Sequence, residues 1–129
     1  MGSLRRRVDL KMAAIHNTLT GIASAVVPIT VSASPSSITE VTVFSPYTSG
    51  GCTATPSGGS GSYSYAWTKV TNNYPGLAID TPFASGTTVT ATGMLSGDTW
   101  IDTIRCTVTD AANPSNNGYI NVLVTIGRL

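Results

Sequence analysis

The sequence predicts an all-β domain, and three observations lead to that prediction. Charged residues make up only 10% of the 129 residues, so the Glu and Lys that surface helices normally carry are scarce. From Pro28 onward, apolar and polar residues alternate in short runs, which is the period of a half-buried strand. Turn-forming residues separate these runs about every ten residues. Residues 28–129 are therefore predicted to form one antiparallel β-sandwich of about seven to eight strands.

Eight short segments carry the strand pattern. They cover residues 29–33, 39–44, 52–56, 63–68, 77–80, 87–92, 100–109 and 120–126. In the longest, the alternation puts Trp100, Ile104, Cys106 and Val108 on one face. The glycine-rich stretch 57–62 leads into a strand rather than a helix, which favours a hairpin turn over a phosphate-binding loop.

Residues 1–27 have a different, helical period and are predicted to be an anchor or assembly segment. Its apolar residues are spaced alternately four and three apart, as in a coiled-coil seam, up to Pro28: Val8, Met12, Ile15, Leu19, Ile22 and Val26. Because a lone helix of this length is marginal in water, the apolar stripe must be buried. The alternatives are that the helix packs on its own sandwich, that it packs on a partner or on copies of itself, and that residues 1–27 form an extended arm instead.

Charge and hydropathy limit the partners. Residues 1–27 have a local charge of +3, because they contain four basic residues and one acidic residue, Asp9. The basic residues are Lys11 and the three that form a basic tip, Arg5, Arg6 and Arg7. Residues 28–129 have a charge of −2. We therefore expect no nucleic-acid binding by the sandwich, and no membrane span, because no apolar run reaches 18 residues. The segment 23–25 (Ala-Ser-Ala) fits a signal-peptide cleavage site, although polar residues interrupt the apolar stretch before it.

Three residues in order resemble the immunoglobulin superfamily: Cys52, then Trp67, then Cys106. The stretch 58–67 (GGSGSYSYAW) and the stretch 106–110 (CTVTD) are similar to immunoglobulin-like and PKD-like modules of bacteria and phages. The resemblance covers roughly residues 28–127, with Ile104 where the family usually has Tyr. It implies an immunoglobulin-like sandwich in which Trp67 marks the core and Cys52 and Cys106 face each other across it. A disulfide between them is expected in an oxidising compartment; two buried thiols are the alternative.

The sequence offers little catalytic or metal-binding chemistry. His16, the single histidine, lies in the N-terminal segment, so neither a cysteine–histidine pair nor a zinc cluster is predicted. Asp98, Asp102 and Asp110 could bring oxygens to one end of the sandwich for calcium, but solvated loop carboxylates are the simpler interpretation. We predict no enzyme activity, no metal and no cofactor.

Aromatic residues provide the candidate contact surface. A carbohydrate or receptor face could involve Tyr47, Tyr63, Tyr65, Tyr74, Trp100 and Tyr119. Tyr63, Tyr65 and Trp100 are expected in the core, whereas Tyr47 and Tyr74 fall in predicted loops and are the better candidates for surface contact.

The resemblance implies a structural protein of a tailed-phage virion: a capsid decoration or cement, neck or tail module. In that hypothesis residues 1–27 anchor the chain to other virion subunits, the chain forms a homo-oligomer, and the sandwich projects outward with weak glycan contact. The alternative hypothesis is a secreted or cell-surface bacterial adhesion or carbohydrate-binding module.

Overall fold

The computed structural model describes residues 26–129, and every regular element in that range is a β-strand. The all-β prediction is confirmed. The strands are β1 (Thr30–Ser34), β2 (Ser37–Thr42), β3 (Tyr47–Thr48), β4 (Cys52–Ser57), β5 (Tyr63–Lys69), β6 (Leu77–Ile79), β7 (Gly86–Thr87), β8 (Val89–Ala91), β9 (Thr99–Asp110) and β10 (Asn117–Arg128).

The largest sheet has the order β2-β10-β9-β5 and is built around the long β9–β10 hairpin. Both hairpin strands are rich in Val, Ile and Thr, which suit a pleated, half-buried surface. Strand β5 runs antiparallel to β9 and places Trp67 opposite Cys106. Strand β2 runs parallel to β10, with Ser37 opposite Leu123. The sequence prediction of an entirely antiparallel arrangement is wrong at this pairing. After β1, which belongs to another sheet, the chain bends at Pro35, and β2 pairs with β10 as a parallel edge strand of the large sheet.

The other two sheets have the orders β1-β4-β7 and β3-β8-β6. Only residues 49–51 separate β3 from β4, and only Thr88 separates β7 from β8. Across these interruptions, the Ser49 amide donates to the Val89 carbonyl (2.9 Å), and the Val89 amide donates to the Ser49 hydroxyl (3.0 Å). These two bonds extend the β3–β8 pairing by one residue pair, and the chain continues from it through residues 49–51 and Thr88 into the β4–β7 pairing.

Strands from all three sheets contribute to one apolar core. Its fully buried members include Cys52 from β4, Val89 from β8, Ile104 from β9 and Val124 from β10. Trp67 is buried among them, as predicted for a core residue, and its indole nitrogen donates to the Ala84 carbonyl (2.9 Å). Burying each large apolar side chain contributes roughly 1.5–3 kcal/mol, before the entropy cost of folding.

Asn116 holds the chain in place ahead of β1. Its side-chain oxygen accepts a hydrogen bond from the Ile29 amide (3.2 Å), and its nitrogen donates to the Val27 carbonyl (2.9 Å). The Gly59 amide also donates to Val27 (2.9 Å). Val26 is half exposed. The remaining predicted anchor residues and the Arg5–Arg7 tip lie outside the described residues, so the helical or extended anchor stays a prediction.

Candidate functional site

A buried ion pair lies at one end of the large sheet. Asp102 belongs to the inward-facing set of β9 and is 1% exposed. Its Oδ2 lies 3.1 Å from Lys69 Nζ. Its Oδ1 accepts hydrogen bonds from the Thr71 hydroxyl (2.7 Å) and the Asn73 amide (3.0 Å), and Oδ2 accepts one from the Tyr74 amide (3.3 Å). Both carboxylate oxygens are thus occupied by the loop that follows β5.

Lys69 also makes its hydrogen bonds to this loop and to the start of β6. Its ammonium nitrogen also donates to Asn72 Oδ1 (2.8 Å) and to the carbonyls of Tyr74 (2.8 Å) and Leu77 (3.0 Å). Burial by itself would raise the pKa of Asp102. The hydrogen bonds from Thr71, Asn73, Lys69 and Tyr74 together outweigh burial and hold the pKa below its usual range. An ionised carboxylate with fully used oxygens suits a structural role and is poorly suited to proton transfer.

Asp110 lies at the other end of β9 and binds the loops at the opposite end of the sheet. It is buried and accepts hydrogen bonds from the Ser60 hydroxyl (2.5 Å), the Ser60 amide (2.9 Å) and the Ala112 amide (3.0 Å). The Ser60 hydroxyl contributes most to lowering the pKa of Asp110. Gly59 adopts a φ of +64°, and a Cβ there would lie 2.8 Å from Asp110 Oδ2. The glycine-rich stretch is therefore a turn closed on Asp110, but the predicted hairpin is wrong, because the flanking strands β4 and β5 lie in different sheets and do not pair.

The hypothesis that three aspartates meet at one end of the domain is wrong. Asp102 and Asp110 are eight residues apart along β9, which corresponds to roughly 26 Å. Asp98 lies in the turn before β9, where its Oδ2 accepts a hydrogen bond from the Leu95 amide (2.7 Å). Residues 26–129 contain no group of three or more potential metal-ligating side chains.

The two cysteines are both fully buried in the core, and both are free in this structure. The disulfide expected from the family resemblance is not formed here, and Cys52 Sγ instead donates to the Pro35 carbonyl (3.3 Å). Burial raises the pKa of Cys52. Burial also raises the pKa of Cys106 to about 11, and repulsion from Cys52 adds to the rise. Protonated thiols of this kind behave as small apolar groups.

The two tyrosines predicted for surface contact are half-buried and pack against the core. The Tyr47 hydroxyl donates to Glu40 Oε2 (2.6 Å), and this bond is the main cause of its raised pKa. Tyr74 stacks on Trp100, with ring centroids 5.2 Å apart. Tyr63, Tyr65 and Trp100 also pack on the core from partly buried positions. Ligand contact through Tyr47 or Tyr74 stays a prediction.

The outward side of the large sheet is one exposed surface open to contact. We define the outer face as the odd-numbered positions of β2, β9 and β10 and the even-numbered positions of β5. Threonines dominate it, and its exposed apolar side chains include Val41, Ile101 and Leu123. Tyr119, one of the aromatic residues considered from the sequence, is also exposed there. The Arg105 guanidinium lies 4.0 Å from the Tyr119 ring centroid, and Arg105 Nε donates to Asn121 Oδ1 (2.9 Å).

Sequence reasoning missed the burial of two aspartates, for which a signal was present, and the exposure of one phenylalanine, for which there was none. The two-residue period that put Trp100, Ile104 and Cys106 in the core also puts Asp102 and Asp110 on that side. Asp102 could thus have been identified as a buried carboxylate in need of a partner. Phe83, 80% exposed in the segment between β6 and β7, has no periodic pattern around it and gave no signal.

Comparison with known proteins indicates the fold and little more. No protein-family model and no curated protein matches the chain. The chain is similar to a solved structure of a nucleoside hydrolase-related hypothetical protein from Saccharophagus degradans that is associated with carbohydrate metabolism. The TM-score is 0.55 at 19% identity, over 82% of this chain and 26% of that chain. The present chain thus spans about a quarter of that protein's length, and the likeness concerns the fold alone.

The described part of the chain, residues 26–129, includes no helix that could cross a lipid bilayer. The strands place the described domain in the all-β class. Its interior carboxylates close loops, and one broad face of its largest sheet is exposed.

Proposed function

We propose that this chain is a non-enzymatic structural module with an immunoglobulin-like sandwich. Two features support the immunoglobulin-like assignment. Trp67 on β5 lies opposite Cys106 on β9, and Cys52 on β4 contributes to the same buried core. The four-stranded sheet β2-β10-β9-β5 lies against the shorter strands around that core.

One observation carries the non-enzymatic part of the proposal: the buried carboxylates are saturated by the loops they close. Asp102 receives its hydrogen bonds and its cation from residues 69–74, and Asp110 receives its hydrogen bonds from Ser60 and Ala112. A general acid or base needs an oxygen that can reach a substrate. These carboxylates instead stabilise a rigid scaffold on which surface contacts can be displayed.

The proposed location is a tailed-phage particle, as a capsid decoration or cement, neck or tail module. This part rests on the sequence resemblance of residues 28–127 and on the separate apolar seam of residues 1–27. The seam would be buried against other capsid or tail subunits, and each large side chain buried there would contribute roughly 1.5–3 kcal/mol before ordering costs. The domain would then project away from the particle.

Incorporation into particles tests the proposal. The double variant Ile15→Asp/Leu19→Asp should lose particle association, because two carboxylates cannot be buried unpaired in an apolar seam. Leu95→Asp is the matched control, since Leu95 is an exposed leucine in the turn before β9. Particles are separated by density-gradient centrifugation and probed for the chain. Retention of the double variant at the control level would show that residues 1–27 are not the anchor.

The second candidate is a secreted or cell-surface adhesion or carbohydrate-binding module. The similar solved structure favours it, because that protein is described as associated with carbohydrate metabolism and this chain matches about a quarter of it. Two measurements distinguish the candidates. A mature protein beginning near Val26 would indicate an exported chain, and glycan-array binding lost in Tyr119→Ala would indicate a carbohydrate site on the outer face. Loss of residues 1–25 is not expected of a virion module that depends on residues 1–27, and only glycan binding stronger than the weak contact expected of such a module would favour the second candidate.

A further inference from the structure

The outer face holds one charged side chain among its described positions, Arg105 on β9. The strand registers place Arg105 between Thr68 on β5 and Asn121 on β10. Along β9, the nearest residues on the same face are Thr103 and Thr107. All four neighbours in the sheet are neutral, so none of them compensates the positive charge of Arg105. That charge is available to a ligand.

Two contacts hold the guanidinium group of Arg105 in position. The group lies over the ring of Tyr119, 4.0 Å from the ring centroid, and its Nε donates to Asn121 Oδ1 (2.9 Å). Its two terminal nitrogens make no hydrogen bond and no ion pair within residues 26–129. They form a planar pair of donors that matches the two oxygens of a carboxylate. Because the side chain is already ordered by Tyr119 and Asn121, less entropy is lost when a carboxylate binds.

A shallow floor of short side chains lies beside this arginine. Ala66 on β5 is opposite Thr107 on β9, and Thr107 is opposite Tyr119 on β10. The floor from Ala66 to Tyr119 is therefore two strand spacings wide, roughly 10 Å. Tyr119 is 57% exposed and provides an apolar ring at the border, while Thr107 and Asn121 provide groups that donate and accept hydrogen bonds. A sugar ring, with its apolar C–H groups and its hydroxyls, is complementary to both.

The charge of the domain limits the ligand to few negative charges. Residues 28–129 have a net charge of −2, and Arg105 is the one cation on the outer face of the described strands. A polyanion such as a nucleic acid or a polyphosphate would be repelled by the domain as a whole and would meet a single cation. A ligand with one carboxylate uses that cation fully and needs no second one.

We infer that Arg105, together with Tyr119 and Asn121, binds a saccharide that carries one carboxylate, such as a uronic acid or a sialic acid. The carboxylate pairs with the terminal nitrogens of Arg105, and the sugar ring lies on the floor formed by Ala66 and Thr107. The inference rests on the glycan contact proposed above for the outer face and narrows its ligand to acidic sugars. Because the site is open and its ion pair is solvated, the expected dissociation constant is on the order of 1 mM.

Titration of the full chain with matched sugars, followed by heteronuclear NMR, tests the choice of ligand. Cellobiuronic acid and cellobiose differ only in whether the terminal sugar carries a carboxylate or a hydroxymethyl group, and sialyllactose and lactose form a second pair. In at least one pair the acidic sugar should bind at least about 10-fold more tightly, because the charged hydrogen bonds of Arg105 are available to it alone. It should shift the Nε–H resonance of Arg105 and the amide resonances of Tyr119 and Asn121.

Three outcomes of this titration would overturn the inference. One is that neither acidic sugar binds. Another is that acetate binds as tightly as the acidic sugar, which would indicate a simple anion site. The third is equal binding of the acidic and the neutral sugar in both pairs. If that equal binding were lost in Tyr119→Ala, the glycan contact proposed for the outer face would survive and only its narrowing to acidic sugars would fail.

A pair of charge-matched variants tests the site itself. Arg105→Gln should raise the dissociation constant of the acidic sugar at least about 10-fold, since the charged fork is lost. Arg6→Gln is the matched control, because it removes the same charge from the N-terminal tip. Its effect should be less than about 2-fold, since charges far from the site are screened. Near-ultraviolet circular dichroism confirms that both variants are folded. Equal weakening by the two variants would show attraction to net charge alone and would overturn the site.

Discussion

Lys69 and Asp102 form a buried ion pair that closes the loop between β5 and β6, with Nζ and Oδ2 3.1 Å apart. Lys69 ends β5, and Asp102 lies three residues into the adjacent β9. Around this pair, the Thr71 hydroxyl and two loop amides bind the carboxylate, while two loop carbonyls accept from the ammonium group. The pair thus helps to order residues 70–74, and Pro75 and Gly76 complete the loop as a turn in which the Leu77 amide donates to the Tyr74 carbonyl (3.0 Å).

Removing the carboxylate of this pair should be costly. Asp102→Ala would leave the largely buried Lys69 ammonium group without its anion and would free two backbone amides, which we expect to lower the free energy of unfolding by about 3 kcal/mol. Urea denaturation measures the loss. Asp80→Ala is the control, because Asp80 is exposed and binds only hydroxyls through its side chain within the described domain. A loss no larger than that of the control would show that the pair is dispensable.

Acid should destabilise the domain through Asp102 and Asp110. Both have a pKa lowered in the folded state, so the unfolded chain takes up protons first as the pH falls. Their stabilising contribution is complete above the unfolded pKa of about 3.9 and is lost as the pH falls through the folded pKa values. Unfolding free energies measured from about pH 6 to pH 2 should therefore fall below about pH 4. The fall in unfolding free energy below about pH 4 should be smaller in the double variant Asp102→Asn/Asp110→Asn. An unchanged pH dependence would contradict the assignment of the acid sensitivity to these two carboxylates.

The two core thiols should be unreactive until the domain unfolds. Burial and the raised pKa of Cys106, about 11, keep the nucleophilic thiolate out of reach at pH 8. A thiol reagent should label no cysteine in the native protein and two in guanidinium chloride, as read by mass spectrometry. Protein that shows no free thiol after denaturation without reductant would contain the bridge that the sequence resemblance predicts.

Gly76 should not tolerate a methyl group. A Cβ there would overlap the Thr92 carbonyl oxygen and lie 2.8 Å from Trp100 Cη2, so the stacked Tyr74–Trp100 pair would have to move. We expect Gly76→Ala to lower the free energy of unfolding by about 2 kcal/mol. Gly51→Ala is the matched control, since a Cβ at Gly51 meets nothing within 4 Å. Thermal melts followed by tryptophan fluorescence compare the two, and equal melting temperatures would contradict the predicted overlap.

Local pattern predicted most of the strands but not all of their partners. Alternation of apolar residues correctly predicted the inward side of β9 and the burial of Trp67, because one buried face selects one register. The parallel pairing of Ser37 with Leu123 has no local signature, since it depends on how the chain turns between β1 and β2. Tyr47 illustrates the same limit at the candidate site: its loop-like surroundings gave no sign of the bond to Glu40 or of strand β3.

The pairing of β2 with β10 has a consequence for how the protein reaches its native state. The strand that lies between β2 and β9 is the last of the ten described strands, so β2 has no partner in its sheet until nearly the whole described domain has been synthesised. Contacts of such long sequence separation slow folding, because most of the chain must be brought together before they form. During that interval the free edge of β2, with Val41 beside it, is exposed to other nascent chains, and aggregation at this stage should compete with productive folding.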